Sequence, residues 1–412
     1  MRSSVVLVLA VFGSLAFACS GAGSGRSGFG SSSGGGSGGG SGGGSSGGGT
    51  SSGGVGTFGG SGSGGSSSGG TGACDPNPAN YDIPGNNCDD DGNGKVDDTP
   101  TCDGSLSLSG TAHDFANALG ICQDADATHW GIVSSTFANG YGGTGNPAAG
   151  QHAILPKFGT SVTPKEGARL GVLSSGFAFQ CDDASPSTSC AGSGQSDPYF
   201  KGEQKPMTGQ GTAPPGYPKA AQGCPNATQV FDAIGVDVQV KVPANAQGLT
   251  FDFDFFSGEW PEYVCTDFND SFVAWLTSTA YSGTGGDLNI SFDSNNNPIS
   301  VNNNFFQHCT PNAVTGCTPG GKKATAACTG GPDELEGTGF YNLGTYCPAG
   351  GQTTGGGSTG WLATKAPVKQ GETITLQFII WDTGDYNWDS SVLVDDFAWQ
   401  PGPTQTGTGV AQ

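Results

Sequence analysis

Three segments of this chain alternate apolar and polar residues with a period of two, and no other feature restricts the fold as strongly. Val236, Val238, Val240 and Val242 alternate with Asp237, Gln239 and Lys241 ahead of Pro243. Leu249, Phe251, Phe253 and Phe255 alternate with Thr250, Asp252 and Asp254. Ile374, Leu376, Phe378 and Ile380 alternate with Thr375, Gln377 and Ile379. Successive side chains on a strand point to opposite faces, so each segment reads as a half-buried antiparallel strand with one wet face. Shorter runs at Gly131–Phe137, Gly171–Phe179, Phe272–Leu276 and Val392–Phe397 bring the total to about seven to nine strands, enough for two packed sheets. One helix is expected: Thr111-Ala-His-Asp114 fits a capping box, Phe115 and Leu119 lie four apart, and Gly120 ends the pattern. The expected fold class is all-β: an antiparallel two-sheet β-sandwich of jelly-roll or lectin-like kind, with one short helix. Long disulfide-stapled loops are expected, and the Gly/Asn-rich inserts 282–298 and 309–360 would lie as loops at its ends.

Composition divides the chain. Of 77 glycines in 412 residues, 28 fall within residues 20–73, almost all the rest of that tract being Ser, Thr and Ala. It cannot bury apolar surface and is expected to stay disordered. As a flexible coil it would span roughly 40 Å, and about 180 Å when pulled straight. Before it, Arg2 and the apolar run Val5–Phe17 read as a signal peptide, since the run falls short of the ~20 residues that cross a bilayer. Leu15-Ala-Phe-Ala-Cys19 resembles a bacterial lipobox, which implies acylation of Cys19 and, with Ser20 next, outer-membrane sorting. The expected organisation is a signal peptide at 1–19, a tether at 20–73, an Asp-rich motif at 74–104, the sandwich at 105–402 and a disordered tail at 403–412.

Cysteine count agrees with an anchor. Thirteen Cys would leave one thiol unpaired in an oxidising compartment, and removing Cys19 leaves an even set. No CxxC pair occurs, which argues against zinc ribbons and thioredoxin-type chemistry. Local pairs are expected at Cys88–Cys102, Cys181–Cys190 and Cys309–Cys317. Charge excludes another class of partner: 14 basic against 35 acidic residues give a net charge of −21, which repels nucleic-acid phosphates and favours divalent cations.

The sharpest chemical signal is Cys88-Asp-Asp-Asp-Gly-Asn-Gly-Lys-Val-Asp-Asp98. Asp89, Asp91 and Asn93 alternate, Gly94 allows a sharp turn, and Asp97 follows at the ninth loop position. With the carbonyl of Lys95, these oxygens can wrap one Ca²⁺. Pro100 stands where an EF-hand has its bidentate Glu, and no helical pattern flanks the loop. The motif resembles the short repeats of thrombospondin type 3 and dockerin modules, and Asp82-Ile-Pro-Gly-Asn86 resembles Asp-rich metal-binding repeats of myxobacterial surface proteins.

Two further motifs are Ser257-Gly-Glu-Trp-Pro-Glu-Tyr-Val-Cys-Thr-Asp-Phe-Asn-Asp-Ser-Phe272 and Trp381-Asp-Thr-Gly-Asp-Tyr-Asn-Trp-Asp-Ser-Ser-Val-Leu-Val-Asp395. Together they resemble the signature of the choice-of-anchor L domain over roughly residues 110–400. Gly258 replaces an acidic residue of that pattern and Cys265 a small one. The resemblance implies a surface module carried on varied anchors and no established reaction. Independently of it, Asp267, Asn269 and Asp270 follow one strand while Asp382, Asp385 and Asp389 crowd the turn between two others. If these corners meet, only a hard cation such as Ca²⁺ neutralises them.

Catalytic patterns are absent from the sequence. His113, His129, His152 and His308 form no HExxH, no Walker loop occurs, and no GxSxG stands between a strand and a helix as a nucleophile elbow requires, so lipase and nucleotide chemistry have no support. Glu259 and Glu262 would point to opposite faces of an extended segment, which disfavours a glycosidase pair. Trp260, Tyr263, Trp381 and Trp388 beside acidic loops are expected either to stack a sugar or to pack in the core. The expectation is a lipid-anchored, calcium-stabilised, non-catalytic binding or adhesion module facing a glycan or protein outside the cell. The alternatives are a structural envelope or matrix component and an extracellular hydrolase.

Overall fold

A computed structural model of the chain describes residues 74–148, 150–179, 211–225, 227–341, 343, 345, 347 and 354–412. Cys19, the tether 20–73 and the pair Cys181–Cys190 lie outside the described residues. In chain order the elements are α1 (Ala112–Ala118), β1 (Gly131–Ala138), β2 (His152–Leu155), β3 (Leu170–Ser174), β4 (Val230–Lys241), β5 (Gly248–Ser257), β6 (Ser271–Thr277), β7 (Ile299–Ser300), β8 (Ala313–Thr315), β9 (Ala324–Ala326), β10 (Gly357–Ser358), β11 (Leu362–Pro367), β12 (Thr373–Thr383), β13 (Ser390–Gln400) and β14 (Gly407–Val410), with a 3₁₀ turn at Asp333–Leu335.

The three alternating segments become β4, β5 and β12, and their apolar faces meet. One antiparallel sheet runs β1-β4-β12-β6-β7 and the other β14-β11-β5-β13-β3-β2, with β10 also on β5. Phe251 of β5 meets Phe378 of β12 edge-on at 4.9 Å between ring centroids, and Phe253 meets Phe272 of β6 at 5.1 Å. Val236, Val238, Val240, Ile374 and Leu376 line the same core from the first sheet, and Leu249, Val392 and Val394 from the second. The fold is the expected β-sandwich. Helix α1 carries both halves of its capping box at Thr111 and Asp114 and buries Phe115 on the core. A Cβ at Gly171 would lie 2.4 Å from the Phe115 ring, so β3 passes the helix only as glycine.

The wet faces do not survive folding. Ala233, Val273, Ile379 and Trp381 form a buried cluster outside the first sheet, against Tyr141 and Tyr217. Leu155, Phe158, Val172, Phe256, Leu335, Phe340 and Leu393 form another outside the second. Asp252 and Asp254, expected in water, are 6% and 0% exposed. Inserts cover them: Asp254 meets Glu334 of the 3₁₀ turn, whose Oε1 accepts from Ser358 Oγ at 2.6 Å and whose Oε2 lies 3.2 Å from His308 Nε2. Burial and the Glu334 charge hold the Asp254 carboxyl well above the usual range.

The structure corrects the disulfides and the tail. Cys88 pairs with Cys74 and Cys102 with Cys122, each pair 5.5 Å between Cα atoms, instead of Cys88–Cys102. The Asp-rich loop folds back on Asp90 and Asp98 through Asp82, leaving Cys102 to run on to α1. Cys309 pairs with Cys328 and Cys317 with Cys347 instead of Cys309–Cys317. The β8–β9 hairpin brings 309 back to 328 and leaves 317 at its far end. Cys224–Cys265 adds a pair that spacing did not suggest. The tail expected to be disordered supplies β14, because β11 offers it a free edge and Thr408 Oγ1 meets Thr364 Oγ1 at 2.7 Å.

Buried acids make stability depend on pH. Asp252 lies 3.6 Å from Lys165 Nζ, yet burial and then the Asp396 charge push it up to about 6. Asp395 accepts from the N–H groups of Lys165 and Asp396 at 2.7 Å, yet burial pushes it up to about 7. The unfolded values lie near 4, so the folded state retains protons that the unfolded state has lost between about pH 4 and 7. These groups therefore stabilise least at the upper end of that window. Calorimetric melts in EDTA are expected to fall in Tm from pH 4.5 to 7.5, and Asp395→Asn to flatten the fall; a Tm that rises through the window contradicts this account.

Candidate functional site

Ser257 ends β5, and the chain then leaves the sheet in turns up to Asp270. Gly258 N–H donates to the Asp389 carbonyl at 3.1 Å, Glu259 N–H to Ser257 Oγ at 3.1 Å, and Tyr263 N–H to the Glu259 carbonyl at 3.1 Å. The last of these is one helix-like turn. It puts Glu259 and Glu262 within electrostatic reach of one another, contrary to the opposite faces expected of an extended segment. Cys224–Cys265 staples the turn, while Gly316 N–H and Thr318 Oγ1 donate to the carbonyls of Pro261 and Glu262 and cover it.

Two other corners close on this one. Asp270 Oδ1 accepts from Thr383 N–H at 3.1 Å, at the end of β12, and Oδ2 accepts from Ser390 Oγ at 2.8 Å, at the start of β13. Asp270 N–H in turn lies 3.4 Å from Glu259 Oε2. Ser174 and Ser175, at the end of β3, donate their hydroxyls to the Ser390 carbonyl. Gly176 follows, and a Cβ there would stand 2.0 Å from Asp389 Oδ2. Glu259, Glu262, Asp270, Asp382 and Asp389 are all buried. Burial pushes Glu259 well above the usual carboxyl range, followed by the charge of Asp382; burial does the same to Asp270, followed by the charges of Glu259 and Asp382.

The two acidic motifs are thus joined through Asp270, Asp382 and Asp385, with Asp389 beside Ser390. Asp267 stays exposed at the rim, and Asn269 is buried with its Oδ1 accepting from Asn302 N–H at 3.1 Å. Glu259 belongs to the corner although sequence reasoning set it apart as half of a glycosidase pair. The signal was Pro261, which has no N–H to give a sheet ladder and so argues against a strand running through Glu259 and Glu262. Trp260 and Trp381 are 4% and 0% exposed, Trp260 stacked on Phe306 at 4.2 Å, so neither presents a face to a ligand; Tyr263 and Trp388 are half-buried.

In the Asp-rich loop the carboxylates serve their own backbone. Asp89 Oδ2 accepts from Gly94 N–H at 3.0 Å, Asp91 Oδ1 from Asn93 N–H at 2.9 Å, and Asn93 Oδ1 from Lys95 N–H at 2.9 Å. Asp97 turns away to the N–H groups of Asn86 and Asn87. The clasp is Asp82, 4% exposed, which the sequence offered only as part of a motif resembling metal-binding repeats and which here accepts from the N–H groups of Asp90 and Asp98. The motif docks on the sandwich through Tyr81, edge-on to Trp130 at 5.8 Å and bonded to Asn245. Among the described residues no group of three or more His, Cys, Asp or Glu is already arranged to hold a metal ion, and no helix is long and apolar enough to cross a membrane.

Residues 204–398 match the family profile of the choice-of-anchor L domain. The match supports that domain family for a shorter stretch than the 110–400 expected, and it leaves out β1, β2, β3 and β14, which complete the two sheets. No curated protein and no solved structure matches the chain.

Gly176→Ala is expected to destabilise by about 1–3 kcal/mol, because the new methyl group overlaps the Asp389 carboxyl. Glu259→Gln removes one of the mutually repelling charges. In EDTA at pH 8 it is expected to raise Tm by about 2 °C. A lower Tm for Glu259→Gln would contradict the repulsion.

Proposed function

We propose that the chain is a surface-displayed, lipid-anchored binding or adhesion module without catalysis, stiffened by Ca²⁺, whose partner is a glycan or protein outside the cell. The observation that carries the reading is the burial of Glu259, Asp270 and Asp382 in one corner, where each charge raises the cost of ionising the next. A hard dication is the counter-charge that lets such oxygens ionise at neutral pH. Taking up the ion requires side-chain movement, because among the described residues no three carboxylates are already arranged to hold one. Asp89, Asp91, Asn93, Asp97 and the carbonyl of Lys95 supply a second oxygen set on a loop clasped by Asp82.

The match to a domain named for its choice of anchors supports surface association, and the lipobox-like Leu15–Cys19 supports a lipid as the anchor. The Gly/Ser tract suits display at a distance from the membrane. Hydrolysis is disfavoured because Glu259 and Glu262 are 2% and 1% exposed, out of reach of a substrate.

At a calcium concentration 100 times Kd, linkage supplies about 2.7 kcal/mol. Melts of the full chain at pH 7.5 are therefore expected to rise by several degrees from EDTA to millimolar Ca²⁺, and Glu259→Gln to lose most of that rise. Equal melts in EDTA and in 10 mM Ca²⁺ would overturn the calcium reading. Cys19→Ala is expected to move the protein from the membrane to the soluble fraction.

A further inference from the structure

Beyond the acidic corner, a cleft of about 290 Å³ opens where three separate stretches meet: Tyr217, the insert 280–296 between β6 and β7, and Thr406 ahead of β14. Its inner end is rigid. Tyr217 OH donates to Asp287 at 3.1 Å, Lys219 Nζ reaches the same carboxylate at 3.2 Å, and Tyr281 OH donates to the Asn289 carbonyl at 2.8 Å. Tyr217 is further held edge-on by Trp275 and Trp381 at 6.2 and 5.9 Å. Both phenols therefore line the cleft in one orientation, so a ligand finds them already placed. Burial, with the Asp287 charge second, raises Tyr217 and pushes Tyr281 up to about 12, which keeps both neutral.

The outer end is the reverse. Ser282, Thr284 and Asn296 are exposed lining residues, and their side chains, with that of Thr406, make no hydrogen bond among the described residues. Gly283 holds the wall in place: its φ is +62°, and a Cβ would stand 1.8 Å from the Asp287 carbonyl oxygen. The cleft thus offers ring surface from two tyrosines beside four uncommitted hydroxyl and amide groups. Its one charged lining residue, Asp287, is already paired with Lys219 at 3.2 Å from outside the lining, so neither an anion nor a cation finds a free counter-charge. The volume is near the ~300 Å³ lower end of small-molecule sites, which fits one or two sugar rings.

We propose that this cleft binds a neutral saccharide unit, its ring on Tyr217 and Tyr281 and its hydroxyls on Ser282, Thr284, Asn296 and Thr406. The proposal deepens the binding-module reading and rests on it, but it uses none of the acidic-corner residues. The test is an array of neutral and of sialylated or sulfated mono- and disaccharides, read with the full chain in Ca²⁺ and in EDTA, followed by calorimetric titration of the best neutral sugar. Neutral sugars are expected to bind in preference to charged ones. The double variant Ser282→Ala/Thr284→Ala, altered only at exposed positions, should bind at least tenfold more weakly with an unchanged Tm, and Tyr281→Ala should lose binding. If Tyr281→Ala fails to fold, the double variant decides. No neutral sugar bound, or equal binding by the double variant, overturns the proposal. Sugar binding in a chain whose Tm ignores Ca²⁺ would leave the cleft standing and remove the calcium reading, and a calcium-dependent Tm without sugar binding would do the opposite.

Discussion

The contact of Phe251 with Phe378 across the gap between the two sheets holds the rest in place. These rings belong to β5 and β12, the strands at the centre of their sheets, and each brings a full row of apolar neighbours to the interface. Apolar burial on this scale is the main favourable contribution to folding. It also sets the register: a slip of one residue on β5 would turn Phe251, Phe253 and Phe255 outward and Asp252 and Asp254 inward. Every corner of the sandwich, including the acidic one, is positioned by strands in that register.

Covering both outer faces has a chemical consequence. In a sandwich with wet outer faces, Asp252, Asp254 and Asp395 would be ordinary solvated carboxylates. Here the β2–β3 connection, through Lys165 and Glu166, covers Asp252 and Asp395, and Glu334 of the 309–360 insert meets Asp254; each is raised by burial before any neighbour acts. At the corner the same physics acts on Glu259 and Asp270 at once, so their charges cannot be treated separately. An acidic protein with few lysines has little internal counter-charge to offer such groups. External cations or retained protons must do so.

The inserts also explain why the acidic corner and the cleft can be separate devices. The 309–360 insert closes over the Glu259–Glu262 turn, whereas the 280–296 insert pairs with β6 through residues 288–290 and leaves room between its bend at 282–284, Tyr217 and Thr406. One stabilises by exclusion of water, the other keeps polar groups available to it.

Much of the architecture was legible in the sequence because it is local. Period-two alternation identifies a strand by itself, so β4, β5 and β12 could be read directly, and a capping box needs only four residues, so α1 could too. The acidic motifs were also visible as motifs, and the fold brings Asp270 and Asp382 within electrostatic reach of one another. Partners far apart in sequence were not legible. Which cysteine meets which depends on where the β8–β9 hairpin turns back; whether Asp254 is wet depends on Glu334, 80 positions later; and Trp381 reads equally as a platform or as core until Tyr217 covers it. The chain alone determined strands, helix and charge, since those follow from each residue and its near neighbours. Only tertiary packing decided which carboxylates are buried together, because burial is a property of what covers a residue and not of the residue itself.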